Sequence, residues 1–394
     1  MPTQPDQQYP CRSLERSKQR SRVSHCSNPE QALQGLTQGN PCAEMCCRRA
    51  ARAVSRSLAS VLVLLAGLTG FANAASHCSV RDADEEPVLQ RIDVDVWHIA
   101  AARGEPDESN RGVTTQLLLA RDGARLWLVG SGPTPAFGAA LDCAVRRTLG
   151  RRVTDVVNTR AAPELALGNP AFDGARVWAL LEVIDAMRTR CEACRERLAR
   201  RIGAAGASLS TQDIRAPFLP VAPRGAMAGR LGPFDWRNLA RAPGERVLML
   251  RHRASRIVVA QGLLWADDVP DLRDTRSDAM LASLRALQRL SIRARLVGEQ
   301  GGVTRPAAIV ANIAYLEALR RAVDAALARG DVRGAAGLDI ELPAFAELPG
   351  YAVRHPLNVQ HVWRELELQS FDDVPGSRQN RQTGRSATFQ RSLR

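Results

Sequence analysis

Aromatic residues and lysine are both scarce in this chain of 394 residues. Phe, Trp and Tyr make up 4% of the sequence, and only one of its 54 basic residues, Lys18, is a lysine. Proteins that bind single-stranded nucleic acid combine a basic groove with aromatic side chains on which the bases stack. No basic stripe flanked by aromatic residues occurs here, so the net charge of +13 does not indicate a nucleic-acid partner.

The excess of positive charge lies at the two ends of the chain. Residues 1–74 contain nine basic and four acidic residues, and residues 375–394 contain five arginines and no acid. Each end therefore carries +5, and the long stretch between them carries only the remaining +3. The basic composition is a property of the ends and does not predict a basic face on a folded domain.

Several common catalytic and binding motifs are absent. The sequence has no G-x-S-x-G nucleophile elbow, no phosphate-binding P-loop and no Gly-rich dinucleotide fingerprint. One acidic cluster lacks the spacing of a Ca²⁺ loop and is predicted to be a solvated turn. Its members are Asp267, Asp268, Asp271 and Asp274.

An apolar run at residues 58–71 is the clearest targeting signal. Four arginines precede it and the small-x-small pattern of residues 72–74 follows it, which is the layout of a secretory signal peptide. The run is short for a membrane span, and an uncut membrane anchor is the alternative. Since Met45 lies just before the arginines, we expect translation to start there. Residues 1–44 would then be a non-native extension or disordered, and residues 45–74 the signal peptide.

This signal predicts a periplasmic or secreted protein with no stable membrane span after cleavage. Its mature part keeps Cys78, Cys143, Cys191 and Cys194, and an even set in an oxidising compartment indicates disulfides. Cys191-x-x-Cys194 lies within a predicted helix. A structural role or a local disulfide is the favoured interpretation of this pair, and a thiol redox role is the alternative.

The mature chain predicts two similar halves of strands and strand–helix units. Strands are predicted at residues 89–99, 113–120, 126–129, 153–159, 175–179, 247–250, 256–260 and 292–297. Helices are predicted at residues 133–149, 181–202, 278–290, 307–329 and 361–368, and a long loop or a weakly ordered lobe at residues 203–232. This order predicts an α/β fold, an αβ/βα sandwich of two mixed β-sheets with outer helices. We expect a lead-in at residues 75–87, the sandwich domain at 88–370 and a disordered basic tail at 371–394.

The segment 154–169 (TDVVNTRAAPELALGN) resembles the signature loop of metallo-β-lactamase-fold hydrolases. In that family a strand ending in Asn-Thr is followed by H-x-H-x-D-H and then by Gly-Asn. Asn158 and Thr159, and later Gly168 and Asn169, stand at the matching positions. The resemblance extends over roughly residues 88–368. It implies the sandwich fold and a zinc hydrolase site between the two sheets.

The metal ligands of that family are replaced in this sequence. Arg160, Ala162 and Leu165 stand at three His positions and Glu164 at the Asp position, while Gly262 stands at the bridging Asp and Gln300 at the late His. The remaining ligand position falls near residues 242–244. A guanidinium has no lone pair to donate and stays protonated, so Arg160 would place positive charge where the cation should lie. We therefore predict no catalytic residue, no bound zinc and no other cofactor.

Two further expectations concern side chains of this region. Arg160 and Glu164 are four residues apart and are predicted to pair with each other and fill the vacated metal position. The alternative is an arginine that binds an anionic ligand. No two histidines have the spacing of a ligand pair. We expect His98 to be packed or hydrogen-bonded in a strand and His252 to be solvated in a turn.

The subgroup that fits best comprises periplasmic zinc metallohydrolase homologues linked to pyrroloquinoline-quinone (PQQ) dehydrogenase systems. The supporting segments are residues 94–99 (VDVWHI), 130–135 (GSGPTP), 269–274 (VPDLRD) and 358–367 (NVQHVWRELE), together with the Cys-x-x-Cys helix. The leading hypothesis is a secreted pseudoenzyme, a binding or accessory module whose partner is unknown, with a periplasmic quinoprotein dehydrogenase system as the candidate. The alternatives are an active metallohydrolase with a non-standard site and a thiol redox partner acting through Cys191 and Cys194.

Overall fold

The structure is a computed structural model that describes residues 86–210, 215–330 and 340–372. The predicted signal peptide, the extension before it and nearly all of the basic tail lie outside these residues, as do His77 and Cys78. No helix in the part of the chain that is described is long and apolar enough to cross a membrane.

The first sheet has seven strands in sequential order. They are β1 (Leu89–Asp93), β2 (Val96–Ile99), β3 (Leu117–Asp122), β4 (Arg125–Val129), β5 (Asp155–Val157), β6 (Arg176–Ala179) and β7 (Leu219–Pro220). β1 to β4 pair antiparallel, and β4 to β7 pair parallel. The sheet is therefore mixed.

The second sheet has six strands in the order β13-β12-β11-β10-β9-β8. They are β8 (Ala228–Leu231), β9 (Phe234–Ala242), β10 (Glu245–His252), β11 (Val258–Val259), β12 (Leu296–Val297) and β13 (Val303–Thr304). β11 and β12 are parallel and the other neighbours are antiparallel.

Both sheets are buried on two faces, which explains the continuous apolar runs in their central strands. Along β3, Leu118 faces the core between the sheets, while Leu117 and Leu119 face an outer core. Along β10, Leu248 faces the core between the sheets and Val247 faces the other outer core. Successive side chains of a strand point to opposite faces, so one run of apolar residues supplies both layers.

Six α-helices of the described residues complete the layers. They are α1 (Pro135–Leu149), α2 (Pro163–Ala166), α3 (Leu181–Arg201), α4 (Ser277–Leu290), α5 (Ala307–Ala328) and α6 (Tyr351–Asp372). α1 covers the outer face of the first sheet, and α4, α5 and α6 cover that of the second. α1 begins where the Thr134 side chain accepts a hydrogen bond from the Phe137 amide, and it ends at Gly150 in the left-handed conformation.

The predicted αβ/βα sandwich of two mixed sheets with outer helices is confirmed by this topology. Several details differ. Residues 89–99 form two antiparallel strands rather than one. Residues 203–232 are not one long loop, because they contain a 3-10 helix (Gly203–Ser210), β7 and β8. β9 was not predicted. The last helix begins at Tyr351 rather than at residue 361, since the helix continues through Pro356.

Candidate functional site

Segments that follow strands of both sheets meet at one place in the sandwich. Asn158, Thr159 and Arg160 follow β5, and Gln261 follows β11. The Thr159 hydroxyl donates to Oε1 of Gln261 at 2.7 Å, and Gln261 Nε2 donates to the Gln116 carbonyl at 2.6 Å. Two side-chain hydrogen bonds therefore join the sheets at the signature loop.

The Asn and Gly frame of the signature loop is a structural support. Asn169 donates to Oδ1 of Asn158 at 2.8 Å, and Asn158 donates to the Leu165 carbonyl at 3.1 Å. Gly168 is needed because a Cβ there would lie 2.1 Å from the Ser131 carbonyl oxygen. These contacts fix the path of the loop without offering a ligand to a metal.

Arg160 forms a buried ion pair with Glu299, a residue that the sequence did not single out. The guanidinium and carboxylate are 2.5 Å apart, and the two side chains are 17% and 7% exposed. Glu299 also accepts from the Thr115 hydroxyl and from the Gly262 amide, each at 2.6 Å. The carboxylate of Glu299 is therefore fully engaged by three donors from separate parts of the chain.

The ionised forms of this pair stabilise each other. Burial by itself lowers the pKa of Arg160, but the carboxylates of Glu299 and Glu164 together outweigh burial, and the pKa lies above the ordinary arginine value. Burial raises the pKa of Glu299, but Arg160 and Thr115 outweigh it and the pKa lies below the ordinary value. Both shifts keep the pair charged at neutral pH.

The predicted Arg160–Glu164 ion pair is wrong, because Arg160 pairs with Glu299. Residues four apart are neighbours on the surface of a helix when both lie within it. α2 begins at Pro163, and Ala162 before it is extended, with φ −134° and ψ 135°. Arg160 therefore precedes the helix that carries Glu164. Burial raises the pKa of Glu164, and Arg160 only partly opposes that shift.

Gly262 makes room for the Arg160 side chain. Its φ is +73°, and a Cβ built there would lie 2.6 Å from Arg160 Cδ. A carboxylate at position 262 would compete with Arg160 for the same space. The arginine at one predicted ligand position and the glycine at another thus fit each other sterically.

The other predicted metal-ligand positions serve packing or internal hydrogen bonds. Ala162 and Leu165 are buried in the outer core under the first sheet. Gln300 Oε1 accepts from the Gly104 amide at 3.1 Å and from Arg354 at 3.0 Å, and its Nε2 donates to the Gly104 carbonyl at 2.7 Å. Its amide is therefore occupied at both ends.

Arg241 is a second buried arginine that the sequence analysis missed. It lies near the end of β9, just before residues 242–244, and it is 6% exposed. Burial, together with the neighbouring charge of Arg160, lowers its pKa to about 10. Within the described residues its side chain has no hydrogen bond and no ion pair, and its Nε is buried without a partner.

Two cavities adjoin these arginines. A small one of about 60 Å³ is lined mostly by charged side chains, including Arg160, Arg241 and Glu299. A larger one of about 310 Å³ shares Arg160 and Arg241 with it and runs along α3 beside Cys191 and Cys194.

The acidic cluster is only partly the solvated turn that the sequence predicts. Asp267 and Asp274 are exposed, but Asp268 is buried and pairs with Arg354 at 3.1 Å. Asp271 pairs with Arg273 at 2.6 Å. Burial opposes ionisation, but the bonds from Arg273 outweigh it and lower the pKa of Asp271 to about 2. The carboxylates of Asp268 and Asp271 are therefore held by arginines rather than available to a cation.

The donor set of this site does not fit zinc. Protein zinc sites use three or four His, Cys, Asp or Glu donors at about 2.0–2.3 Å. Within residues 86–210, 215–330 and 340–372, no three such side chains come together in a group that could hold a metal ion. The carboxylate of Glu299 is already held by Arg160, and Arg241 adds a second positive charge.

The two histidine expectations have different outcomes. His98 is buried and its Nε2 is 2.6 Å from Gln116 Oε1, which confirms the prediction of a hydrogen-bonded strand residue. The prediction for His252 is wrong, because this residue ends β10, is 4% exposed and lies 2.8 Å from the Ser255 hydroxyl. Burial lowers the pKa of both imidazoles.

Cys191 and Cys194 are free thiols and do not form the local disulfide that was one interpretation of their spacing. Burial is the main cause that raises the pKa of Cys191 to about 12. Cys143, in α1, is disulfide-bonded.

The fold and the site define a class of protein: an α/β sandwich with an arginine-rich cleft where segments from the two sheets meet. Three solved structures similar to it are the metallo-β-lactamase FIM-1 from Pseudomonas aeruginosa in its mono-zinc form and metallo-β-lactamases from Pontibacter korlensis and Hirschia baltica. Each is 12% identical to this chain; the TM-scores are 0.48, 0.45 and 0.46, and the matches cover 59% of this chain and 95%, 99% and 97% of those chains. No family model and no curated protein sequence matches the chain.

Proposed function

We propose that the protein is a secreted pseudoenzyme of the metallo-β-lactamase superfamily that serves as a binding module. The observation that carries this proposal is the buried ion pair between Arg160 and Glu299. It occupies the position that the signature loop assigns to the first metal ligand, and Gly262 leaves the space that Arg160 fills.

Electrostatics supports the loss of metal chemistry. A dication entering this site would have to separate Arg160 from Glu299 and leave a guanidinium charge buried without its partner. Removing one partner from a buried pair costs about 3–5 kcal/mol. Arg241 would add further repulsion because it lines the same cavity.

The alternative of a thiol redox partner has weaker support. A redox cysteine reacts as the thiolate, which requires a lowered pKa. Burial instead raises the pKa of Cys191 to about 12, so this thiol stays protonated at neutral pH.

The cellular setting of the proposal rests on the sequence segments described above. We place the protein in the periplasm or outside the cell, beside a quinoprotein dehydrogenase system, as an accessory module. N-terminal sequencing of the exported protein tests the first part. It should begin at Ala75 or Ser76, and an intact N-terminus on an exported, membrane-held protein would contradict cleavage.

Zinc binding by the exported protein tests the pseudoenzyme proposal. The purified protein is incubated with zinc, freed of excess metal and analysed for bound zinc per chain. We expect no zinc at the site, and about two equivalents, the content of a two-metal hydrolase site, would overturn the proposal. A variant with both Cys191→Ser and Cys194→Ser is the control, since zinc that it loses was bound by thiolates.

A further inference from the structure

Arg241 differs from the other fully buried arginine of the described residues. Arg354 is 3% exposed and donates to the Val269 carbonyl and Gln300, and it pairs with Asp268 and Glu105. Arg241 is 6% exposed, and its side chain has no such partner in the described part of the chain. A buried charge without a partner is costly, so a group that supplies one will bind favourably.

A β-bulge between β9 and β10 of the second sheet sets the position of Arg241. The register of β9 against β10 shifts at this residue, because Ala240 lies opposite Arg246 and Ala242 lies opposite Glu245. The Arg241 carbonyl accepts from the Arg276 amide at 2.7 Å instead of from β10. Bulges of this kind redirect a side chain and are frequent beside functional sites.

The larger cavity has the size and charge of a site for a small organic anion. Its volume of about 310 Å³ is at the lower end of the range for small-molecule sites. Five arginines line it against two acids, Glu245 and Asp274. Arg160 is neutralised by Glu299 and Arg190 by Glu245. Among the described residues Arg241 forms no ion pair, although the carboxylates of Glu299, Asp271 and Asp274 partly offset the effect of burial on its pKa.

The lining of this cavity also includes small apolar side chains among the charged ones. They are Ala186, Cys191 and Ala193 of α3 and Ala161 of the signature loop. A planar guanidinium fork matches the two oxygens of a carboxylate, and apolar side chains match a carbon skeleton. Inorganic phosphate would satisfy the charge but leave these apolar side chains uncovered.

We propose that the cavity between Arg241 and α3 binds a small organic carboxylate, with the carboxylate on the Arg241 guanidinium and the carbon chain against Ala186 and Ala193. This inference rests on the proposed function and deepens it, because it names the ligand class of the binding module. Cys194 lines the same cavity and is partly exposed. A ligand bound in the cavity should therefore slow the alkylation of its thiol.

Calorimetric titration of the full exported chain with hexanoate tests the site. We expect saturable binding that hexanol, which has the same chain length without the charge, does not reproduce. Arg241→Met should weaken hexanoate binding by at least about tenfold, or 1.4 kcal/mol. Arg237→Met is the matched control, because Arg237 is an exposed arginine on the same strand and should leave the affinity unchanged.

Alkylation of Cys194, followed by mass spectrometry of the peptide that contains it, locates the ligand without any variant. Hexanoate should slow alkylation of wild-type Cys194, and equimolar hexanol should not. Failure of hexanoate to bind or protect, tighter binding of inorganic phosphate, or equal affinity in Arg241→Met would each overturn the carboxylate site. None of these outcomes concerns zinc content, so failure of this inference is distinguishable from failure of the pseudoenzyme proposal.

Discussion

Arg160 and Arg241 line the same cleft, but among the described residues only Arg160 has an ion-pair partner. Arg160 is neutralised by Glu299, which three donors hold in place. Arg241 is more deeply buried, yet no acceptor contacts its side chain among the described residues. Arg160 therefore fills the site between the two sheets together with Glu299, whereas the guanidinium of Arg241 is available to an anionic ligand.

Removing the charge of Glu299 should have the largest effect. Glu299→Gln leaves the buried Arg160 without its counter-ion and should lower the free energy of unfolding by about 3 kcal/mol at neutral pH. Urea denaturation measures this change. The control is Glu245→Gln, whose ion pair with Arg190 is largely exposed and contributes less than about 1 kcal/mol. Equal losses in the two variants would show that Glu299 is not a special partner.

The same pair should respond to acid. The pKa of Glu299 in the folded protein lies below its ordinary value, so its stabilising contribution is complete above the unfolded-state pKa. It is lost as the pH falls through the folded-state pKa. The wild type should therefore approach the stability of Glu299→Gln in acid, as followed by urea denaturation along a pH series.

Gly262→Ala should give the next largest loss in the free energy of unfolding. The left-handed backbone costs about 1–2 kcal/mol for a residue with a Cβ, and the clash with Arg160 adds to this cost. Introducing Gly262→Ala into an Arg160→Ala background should remove the steric part and leave the backbone part. If the cost of the alanine is the same in both backgrounds, Arg160 does not occupy the space beside Gly262.

Arg241→Met should have a small effect of the opposite sign. It removes a buried charge that lacks a partner, so the stability should be unchanged or rise by about 1 kcal/mol. Arg354→Met is the matched comparison, because it removes a buried arginine that has several acceptors. Urea denaturation should show a clear loss for Arg354→Met, and a similar loss for Arg241→Met would mean that Arg241 has partners in the folded protein.

Glu164→Gln should give the smallest effect, visible mainly in its pH dependence. Burial raises the pKa of Glu164, so the folded protein favours its protonated form. Below its unfolded-state pKa this carboxyl therefore does not lower the stability of the folded protein. As the pH rises through its folded-state pKa, it lowers that stability. At pH 7 the free energy of unfolding of the variant should exceed that of the wild type by less than about 1 kcal/mol. At acidic pH the two proteins should be equally stable. A stability loss at pH 7 would indicate that Glu164 is an ion-pair partner of Arg160.

The sequence predicted the layers of the fold well because apolar runs and helical periods are local signals. It also located the signature loop, since the Asn and Gly residues that fix the loop are contiguous with a strand. It did not find Glu299, because the partner of Arg160 lies 139 residues away and is chosen by the contact between the sheets.

β9 and Arg241 were missed for a related reason. The strand FDWRNLARA carries charged and polar residues at several positions, so its alternation is weak. Its apolar residues are buried only because β8 and β10 flank it. The bulge that redirects Arg241 arises from register with β10, which a single strand does not encode.

A double-mutant cycle between Arg160 and Glu299 tests the central claim most directly. Urea denaturation gives the unfolding free energies of the wild type, Arg160→Met, Glu299→Gln and the double variant. We predict that the double variant loses far less than the sum of the single losses, with a coupling of about 2–3 kcal/mol. Losses that add within about 0.5 kcal/mol would contradict the account, because the two residues would then be independent.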